Sequence, residues 1–451
     1  MSTRQVPASV GQRLLWLMEH YRGDGRGMLN QPLALRMAGA VDMEALNQAY
    51  TELVRRHEAL RTTFSGRGGR LTQAIHEPEP MRIQQIDLRA AEDPSGAAYA
   101  ALIADLRSPV DPTEWPVRAT AWRARDDEYV ICLNMHHLVT DDWSCSVIAR
   151  DLGLLYRRAR GEDVTLPDVG WQFADWAQWQ QRNLSGPRLA KLETYWSAKL
   201  AGARGVQLVN ITSAAQEASR EVESEARSWD VDIAPEQLAR LRAIAGQERC
   251  TPYAFLLAAF YLQLFAETGQ DDLAVSSIFG NRTRAEVAQT VGFFVNMVIL
   301  RGLIRPHETF RDLLRQVRIT TVEALNYQAF PYQMLPAGTI LEGAIAPRDV
   351  VFQMLDANET AFSVEGVDSG ELLLVETGRF PLELAFFPHQ DSLRGTLFYH
   401  CPQFGDEWTR RLLAGCAATV QEAIDSPDSS IADIMAGAEK SREAFSATVM
   451  R

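Results

Sequence analysis

Cysteine is scarce in this chain: five in 451 residues, at positions 132, 145, 250, 401 and 416, with no Cys-x-x-Cys pair. An odd, scattered set argues against a disulfide framework and a thiolate zinc site, and it suits a reducing, cytoplasmic compartment. Long apolar runs are also missing. No stretch reaches the ~18 apolar residues of a spanning helix, and Met1-Ser2-Thr3-Arg4-Gln5 holds no apolar signal core. Positive charge is in deficit, 45 Lys and Arg against 58 Asp and Glu, for a formal charge of −13. Neither nucleic acid nor a membrane surface is therefore expected as the main partner. What the chain does have is length and apolar content (46%), enough for two or more structural units with sizeable cores.

The most informative segment is Met135 to Ser144. Two adjacent imidazoles, His136 and His137, follow the apolar run from Glu128 to Met135. An acidic pair, Asp141-Asp142, then leads into Val147, Ile148, Leu152 and Leu155 at helical spacing. The pattern predicts strand, tight loop and helix, with the His pair where the chain leaves a sheet. Open α/β sheets gather their ligands at such strand ends, and histidine is the side chain best suited to moving a proton near neutral pH. His137 and Asp141 stand before the predicted helix with no third ligand nearby, so no metal is expected.

Elsewhere, Asp42 is a predicted N-cap for the apolar stripe Met43, Leu46, Tyr50, Leu53, His57, Leu60 and Phe64, spaced by threes and fours. His57, inside that stripe, is expected to be a packed histidine with a hydrogen-bond partner. Thr251-Pro252 reads as the start of an apolar helix from Tyr253 to Glu267. Residues 204–227 read as a polar surface excursion in the second half. Residues 371–375, 381–387 and 393–400 are β-like, and Asp406 to Ile424 is expected to close the chain as a helix before a frayed tail from Ala436. The expected division falls near residues 175–185, giving segments 1–178 and 179–451.

The Met135–Ser144 segment resembles the His-His-x-x-x-Asp-Gly motif of nonribosomal peptide synthetase condensation domains, acyltransferases related to chloramphenicol acetyltransferase. Asp142 stands where that family has glycine. Companion stretches follow in the family's order. Ser9 to Leu17 is similar to the opening Ser-x-x-Gln-x-x-x-Trp signature, and Arg56-His57-Glu58-Ala59-Leu60-Arg61-Thr62-Thr63-Phe64 to the second motif. Gln172 to Gln180 resembles the motif after the His loop, and Val291-Gly292-Phe293-Phe294-Val295-Asn296, ending at Arg301, the Gly-x-Phe-Val-Asn motif. Asn326 to Met334 is a weaker match, with Tyr327, Ala329 and Gln333 replacing the usual His, Asp and Glu. Phe352-Gln353 and Arg379 to Leu382 fit the last strands loosely.

The resemblance implies an α/β fold with mixed sheets: two acetyltransferase-like lobes in a V-shaped pseudodimer, the His loop facing the cleft. It implies transfer of an aminoacyl or peptidyl thioester to an amine or hydroxyl acceptor. Peptidyl or acyl carrier proteins would deliver the acyl group on phosphopantetheine arms, with no tightly bound cofactor. His137 is placed at the reaction centre, with His136 and Asp141 in support and Arg61 or Arg282 as the ion-pair partner of Asp141. Asp142, Trp143 and Ser144 are expected to support the loop; Gly292, Asn296 and Gln353 are channel candidates. N–H groups at the following helix start would favour a developing oxyanion.

No Gly-Gly-x-Ser carrier site is present, and no segment has room for adenylation or thioester hydrolysis. A free-standing enzyme is expected, a domain cut from a synthetase being the alternative. Asp142 either caps the following helix or narrows the donor channel. Altered His loops also occur in idle relatives that dock oxygenases on assembly lines, which makes a non-catalytic docking domain the second reading. Both histidines and Trp143-Ser144 are kept, which favours a working enzyme.

Overall fold

The computed structural model describes residues 3–21, 29–67, 70–208, 225–341, 349–355, 367–371, 379–389, 391–401 and 403–449. By its internal contacts the chain divides into two compact units. The first is Met1–Ser185 with Gly280–Val295 and Asn358–Leu374; the second is Gly186–Phe279, Asn296–Ala357 and Val375–Arg451.

The chain starts with β1 (Thr3–Pro7), α1 (Val10–Tyr21), β2 (Asn30–Gly39) and α2 (Met43–Arg56). Asp42 caps α2 as its sequence position predicts, accepting the Glu44 and Ala45 N–H groups at 3.0 Å. The helix stops at Arg56, short of the Phe64 that the stripe suggests. His57 turns extended, Glu58–Arg61 forms a 3-10 turn, and β3 (Thr62–Arg67) follows. The apolar spacing runs on because the turn and strand still deliver Leu60 and Phe64 to the same core, where both are buried.

Next come β4 (Arg70–His76), β5 (Gln84–Asp87), α3 (Pro94–Arg107), β6 (Val117–Arg125) and β7 (Glu128–His136). Helices α4 (Asp142–Ala159) and α5 (Phe173–Asn183) end this contiguous part. Residue 178 lies inside α5, and the first unit runs on to Ser185.

The second unit opens with α6 (Gly186–Leu200) and β8 (Ala203–Arg204). It continues through β9 (Glu225–Ile233), α7 (Pro235–Gln247), α8 (Pro252–Thr268) and β10 (Asp272–Phe279). Gly280–Val295 then belongs to the first unit, after which β11 (Asn296–Leu303), α9 (Phe310–Tyr327), β12 (Ile340–Leu341) and β13 (Val350–Met354) return to the second. Strand β14 (Val367–Glu371) is again part of the first. The second unit finishes with β15 (Leu382–His389), β16 (Ser392–Cys401), α10 (Asp406–Asp425) and α11 (Ile431–Ser446).

Helix α10 does not close the chain. Where the sequence suggests a frayed tail, Ser430 caps a further helix, accepting the Asp433 N–H at 3.2 Å. Of the polar stretch 204–227, residues 209–224 lie outside the described residues and Glu225–Arg227 begins β9.

The first unit's main sheet has the order β14-β2-β7-β6-β5, with β1-β4-β3 as a smaller sheet. All its pairings are antiparallel except β5 with β6. Strand β7 is interior and buried at every residue, so Tyr129 to Leu133 is apolar without alternation, and the buried polar groups of Glu128, Asn134 and His136 at and near its ends each have a hydrogen-bond partner. The second unit's sheet, β11-β10-β13-β15-β16-β9, mixes parallel and antiparallel neighbours. Its helix α8 is buried from Ala254 to Leu264, which is why that segment is apolar nearly all round, with Gln263 donating to Glu267 at 3.1 Å. Mixed sheets and helices give the α/β class expected. Among the described residues no helix is long and apolar enough to cross a membrane.

Candidate active site

Strand β7 hands the chain to a single 3-10 turn, His137–Val139, and then to α4. The backbone enters this turn held on both sides: the His136 N–H donates to the Pro116 carbonyl at 2.9 Å and the His137 N–H to the Leu29 carbonyl at 2.7 Å. The two rings are then bonded in opposite senses. His137 Nδ1 lies 2.7 Å from the Thr140 carbonyl. A carbonyl only accepts, so the neutral ring carries its proton on Nδ1 and its lone pair on Nε2. His136 Nδ1 instead accepts the Leu138 N–H at 3.1 Å, which puts that ring's proton on Nε2, 3.3 Å from the Glu19 carboxylate. His136 is 1% exposed and His137 8%. The Phe293 ring meets His137 edge-on with centroids 5.0 Å apart.

Asp141 is the N-cap of α4, its side chain accepting the Ser144 N–H at 2.8 Å. The same oxygen takes the Ser144 hydroxyl at 2.6 Å and Arg282 Nη2 at 2.9 Å, and the other takes the Phe294 N–H at 3.0 Å. Asp141 is 0% exposed, so it is a tie between the His loop and the segment 280–295. Of the two candidate arginines, Arg282 is the partner. Arg61 lies elsewhere, donating to the His76 carbonyl, with Glu58 3.8 Å away.

Arg282 also donates to the Val287 and Thr290 carbonyls at 2.8 and 2.7 Å, and its guanidinium lies 3.9 Å over the Phe294 ring. Burial pulls its pKa below the ordinary arginine value, opposed by Asp141. The Ser144 hydroxyl accepts the Gly292 N–H at 3.0 Å. Gly292 carries no side chain for a steric reason: a Cβ there would lie 2.0 Å from the Phe173 ring.

Asp142 is not the cap. That position belongs to Asp141, and Asp142 is the first residue of α4, its carboxylate accepting Gln31 Nε2 at 2.8 Å. Trp143 is exposed, with its indole N–H donating to the Ala288 carbonyl at 2.9 Å. Asn296 and Gln353 belong to the second unit. There Asn296 Nδ2 donates to the carbonyls of Gln328 and Phe330 at 2.6 and 2.9 Å, and Gln353 Nε2 donates to Glu383. The first unit thus brings together His136, His137, Asp141, Ser144, Arg282 and Gly292.

Two groups escape a reading of the sequence. One is the contact of α1 with the His loop: Gln12 stands in the opening signature, but no spacing rule links it or Glu19 to residues 126 and 117 positions away. The other is the partner of His57. Its Nε2 lies 2.9 Å from Asp151, which also takes Arg56 Nε at 2.8 Å and Arg150 Nη2 at 2.6 Å. Both His57 and Asp151 are buried. A signal for Asp151 exists: it sits three residues after Ile148 and beside Leu152, a charge on the apolar face of a helix.

Comparison with known proteins adds the family. The family model described as the condensation domain matches residues 2–445. A linear gramicidin synthase of Brevibacillus parabrevis is 30% identical over 439 residues, 95% of this chain and 8% of that protein. Phosphinothricin tripeptide synthetase of Streptomyces viridochromogenes is 33% identical over 415 residues, 88% of this chain and 37% of that protein. The chain therefore spans only a minor part of these relatives.

Among solved structures, SgcC5 of Streptomyces globisporus superposes with a TM-score of 0.77 at 24% identity, over 94% of this chain and 100% of that one. The X-domain from teicoplanin biosynthesis gives 0.79 at 22%, over 96% and 98%. The condensation domain of the monacolin K synthase MokA gives 0.79 at 20%, over 96% and 100%. At these identities the likeness is one of fold.

Proposed function

Because the chain belongs to the condensation domain family, we propose that it is a working acyltransferase of nonribosomal peptide or related biosynthesis. It takes a carrier-tethered aminoacyl or peptidyl thioester and joins it to an amine or hydroxyl acceptor, forming an amide or ester. The observation that carries this reading is the His137 ring: its Nδ1 is committed to the Thr140 carbonyl at 2.7 Å, so the neutral ring has a basic Nε2. In the step proposed, the acceptor's nucleophilic atom attacks the thioester carbonyl and its proton passes to His137 Nε2. Collapse of the adduct breaks the C–S bond, and the departing thiolate of the phosphopantetheine arm recovers that proton. A hydroxyl acceptor depends on this assistance most, since general-base catalysis is worth about 10²–10⁴-fold. Helix α4 begins at Asp142, and a helix start favours negative charge developing beside it.

Carrier proteins are the partners this reading requires, with the phosphopantetheine arms as substrate tethers. A cytoplasmic setting suits such partners and the few, scattered cysteines of the chain. One observation favours a second reading: the Asp142 carboxylate occupies the family's glycine position and is held there by Gln31. Under that reading the domain docks a tailoring enzyme and does no chemistry.

The deciding experiment incubates a loaded donor carrier with the protein and candidate amines or alcohols, and follows the products by mass spectrometry. A new amide or ester that disappears with His137→Ala supports acyl transfer. No product with any donor, together with retained binding of a tailoring enzyme, moves the assignment to docking.

A further inference from the structure

Helix α1 grips the turn that carries His137 from both sides, through two residues that take no part in the chemistry proposed above. Gln12, 1% exposed, lies in the first turn of α1. It is fixed there by reciprocal bonds with Ser9: the Ser9 N–H donates to Gln12 Oε1 at 2.9 Å and the Gln12 N–H to Ser9 Oγ at 3.1 Å. Its amide nitrogen then donates to the Leu138 carbonyl at 2.8 Å and to Gln73 Oε1 at 3.3 Å, and Gln73 is itself tied to the Pro7 carbonyl at 3.1 Å. Oxygen and both amide protons of Gln12 are thus committed, and the side chain has one orientation. Seven residues on, two helical turns along the same face, Glu19 takes the Nε2 side of His136 at 3.3 Å. That bond sets the tautomer in which His136 Nδ1 accepts the Leu138 N–H at 3.1 Å.

Leu138 is therefore fixed at both ends of its backbone by one helix: its carbonyl directly by Gln12, its N–H by Glu19 through His136. The residue so fixed follows His137 and belongs to the same 3-10 turn. We propose that Gln12 and Glu19 are positioning residues that set the place of the His137 ring, and so keep its Nδ1 on the Thr140 carbonyl that fixes its tautomer. The link to turnover rests on the acyltransferase reading; the link to the ring does not. A lateral error of about 1 Å in a reacting group can cost on the order of 10²-fold in rate. Loosening this turn is therefore expected to lower kcat while leaving KM close to its original value.

The test combines the full-length protein, labelled with 15N-histidine, and two kinds of substitution. In wild type at neutral to mildly alkaline pH, the adjacent rings should give opposite neutral tautomers, His136 as Nε2–H and His137 as Nδ1–H. Gln12→Met keeps the length of the side chain and deletes its hydrogen bonds. It should move the His137 ring toward tautomer averaging, speed exchange of its Nδ1 proton and lower kcat by about tenfold or more. Glu19→Leu, at a half-buried position that can take an apolar side chain, should do the same through His136. Glu19→Gln keeps an oxygen facing Nε2 and should recover much of the loss.

A purely structural role would instead lower the melting temperature and leave the His137 signals of the folded protein in place. Unchanged His137 signals in both Gln12→Met and Glu19→Leu overturn the proposal, and Glu19→Leu alone decides if Gln12→Met does not fold. If the signals shift as expected but wild type transfers no acyl group, the positioning assignment stands and the acyltransferase reading falls.

Discussion

Two buried histidines are held by residues at and near helix α4, and they are held in opposite ways. His57 gives its Nε2 to Asp151, a carboxylate clamped between Arg56 and Arg150, and its Nδ1 has no hydrogen bond among the described residues. His137 gives its Nδ1 to a neutral backbone carbonyl. Burial pushes the His57 pKa down; Asp151 opposes this and the two guanidiniums add to it. That ring is neutral and its bonded nitrogen faces a charge it never relieves. Around His137 the carboxylate is displaced by one step. Asp141 is wholly occupied by Ser144, Arg282 and Phe294, so it fixes the loop, and the bond to His137 Nδ1 comes from the Thr140 carbonyl. A histidine paired with a carboxylate between arginines is a strut. One held through Nδ1 by a carbonyl carries its lone pair on Nε2.

That contrast breaks most visibly at His137. His137→Ala should remove product formation in the carrier assay while the melting temperature moves by only a few degrees, because the ring's hydrogen bond to the Thr140 carbonyl stays within its own loop. Near-normal turnover would leave catalysis to positioning alone.

Asp141→Ala should come next. Removing one partner of a buried pair costs about 3–5 kcal/mol, here at Arg282, and denaturant unfolding should register it together with a fall in activity. A stability loss below about 1 kcal/mol, the level of an exposed pair, would mean the Arg282 tie is not maintained in solution.

The strut is tested by acid. Burial would raise Asp151, but hydrogen bonds from His57, Arg150 and Arg56 prevail and hold it down at about 2. A depressed carboxyl contributes stability that is complete above its unfolded value and vanishes as pH falls through the folded one. The shift is worth about 2 kcal/mol, lost between roughly pH 4 and pH 2. His57, also depressed, adds an earlier loss that begins as pH falls below its ordinary 6.5. Asp151→Asn should flatten the lower limb of a stability-against-pH curve; an unchanged limb would show that other carboxyls carry it.

The smallest effect is expected at Asp142. Asp142→Gly deletes the bond from Gln31 and should cost about 1 kcal/mol or less, with similar initial rates. A glycine variant that turns over substantially faster would show that the native carboxylate obstructs the donor.

Local features of this fold are legible in the sequence and distant ones are not. Asp42, Thr251 and the apolar run of β7 announce themselves because a cap or a strand is decided within a few residues. The end of α2 is hidden because a 3-10 turn and a strand preserve the apolar spacing of the helix before them. At the site, His136, His137 and Asp141 form a local motif and can be read directly. Arg282 emerges only as one of two candidates, since nothing local relates positions 141 residues apart. The cap reads one residue late, at Asp142 instead of Asp141, because both are good capping side chains and only the geometry of the turn chooses between them.

The interval between Asp141 and Arg282 also sets an order of events on the ribosome. At about 5–20 residues per second, Arg282 is made roughly 7–28 s after Asp141. In between, the chain produces α6, α7, α8 and β10 of the other unit. A nascent chain that has reached only Phe279 must keep the Asp141 carboxylate hydrated or bury it with Ser144 alone, without its ion-pair partner or the Phe294 N–H, so the His loop cannot take its final form. Completion of the loop is thereby coupled to emergence of residues 280–295, which bring Arg282, Gly292 and Phe294 together. Amide exchange at Ser144 should report this as fast in a chain halted at Phe279 and slow in one that extends beyond Leu303, which makes the loop a late checkpoint in the protein's own synthesis.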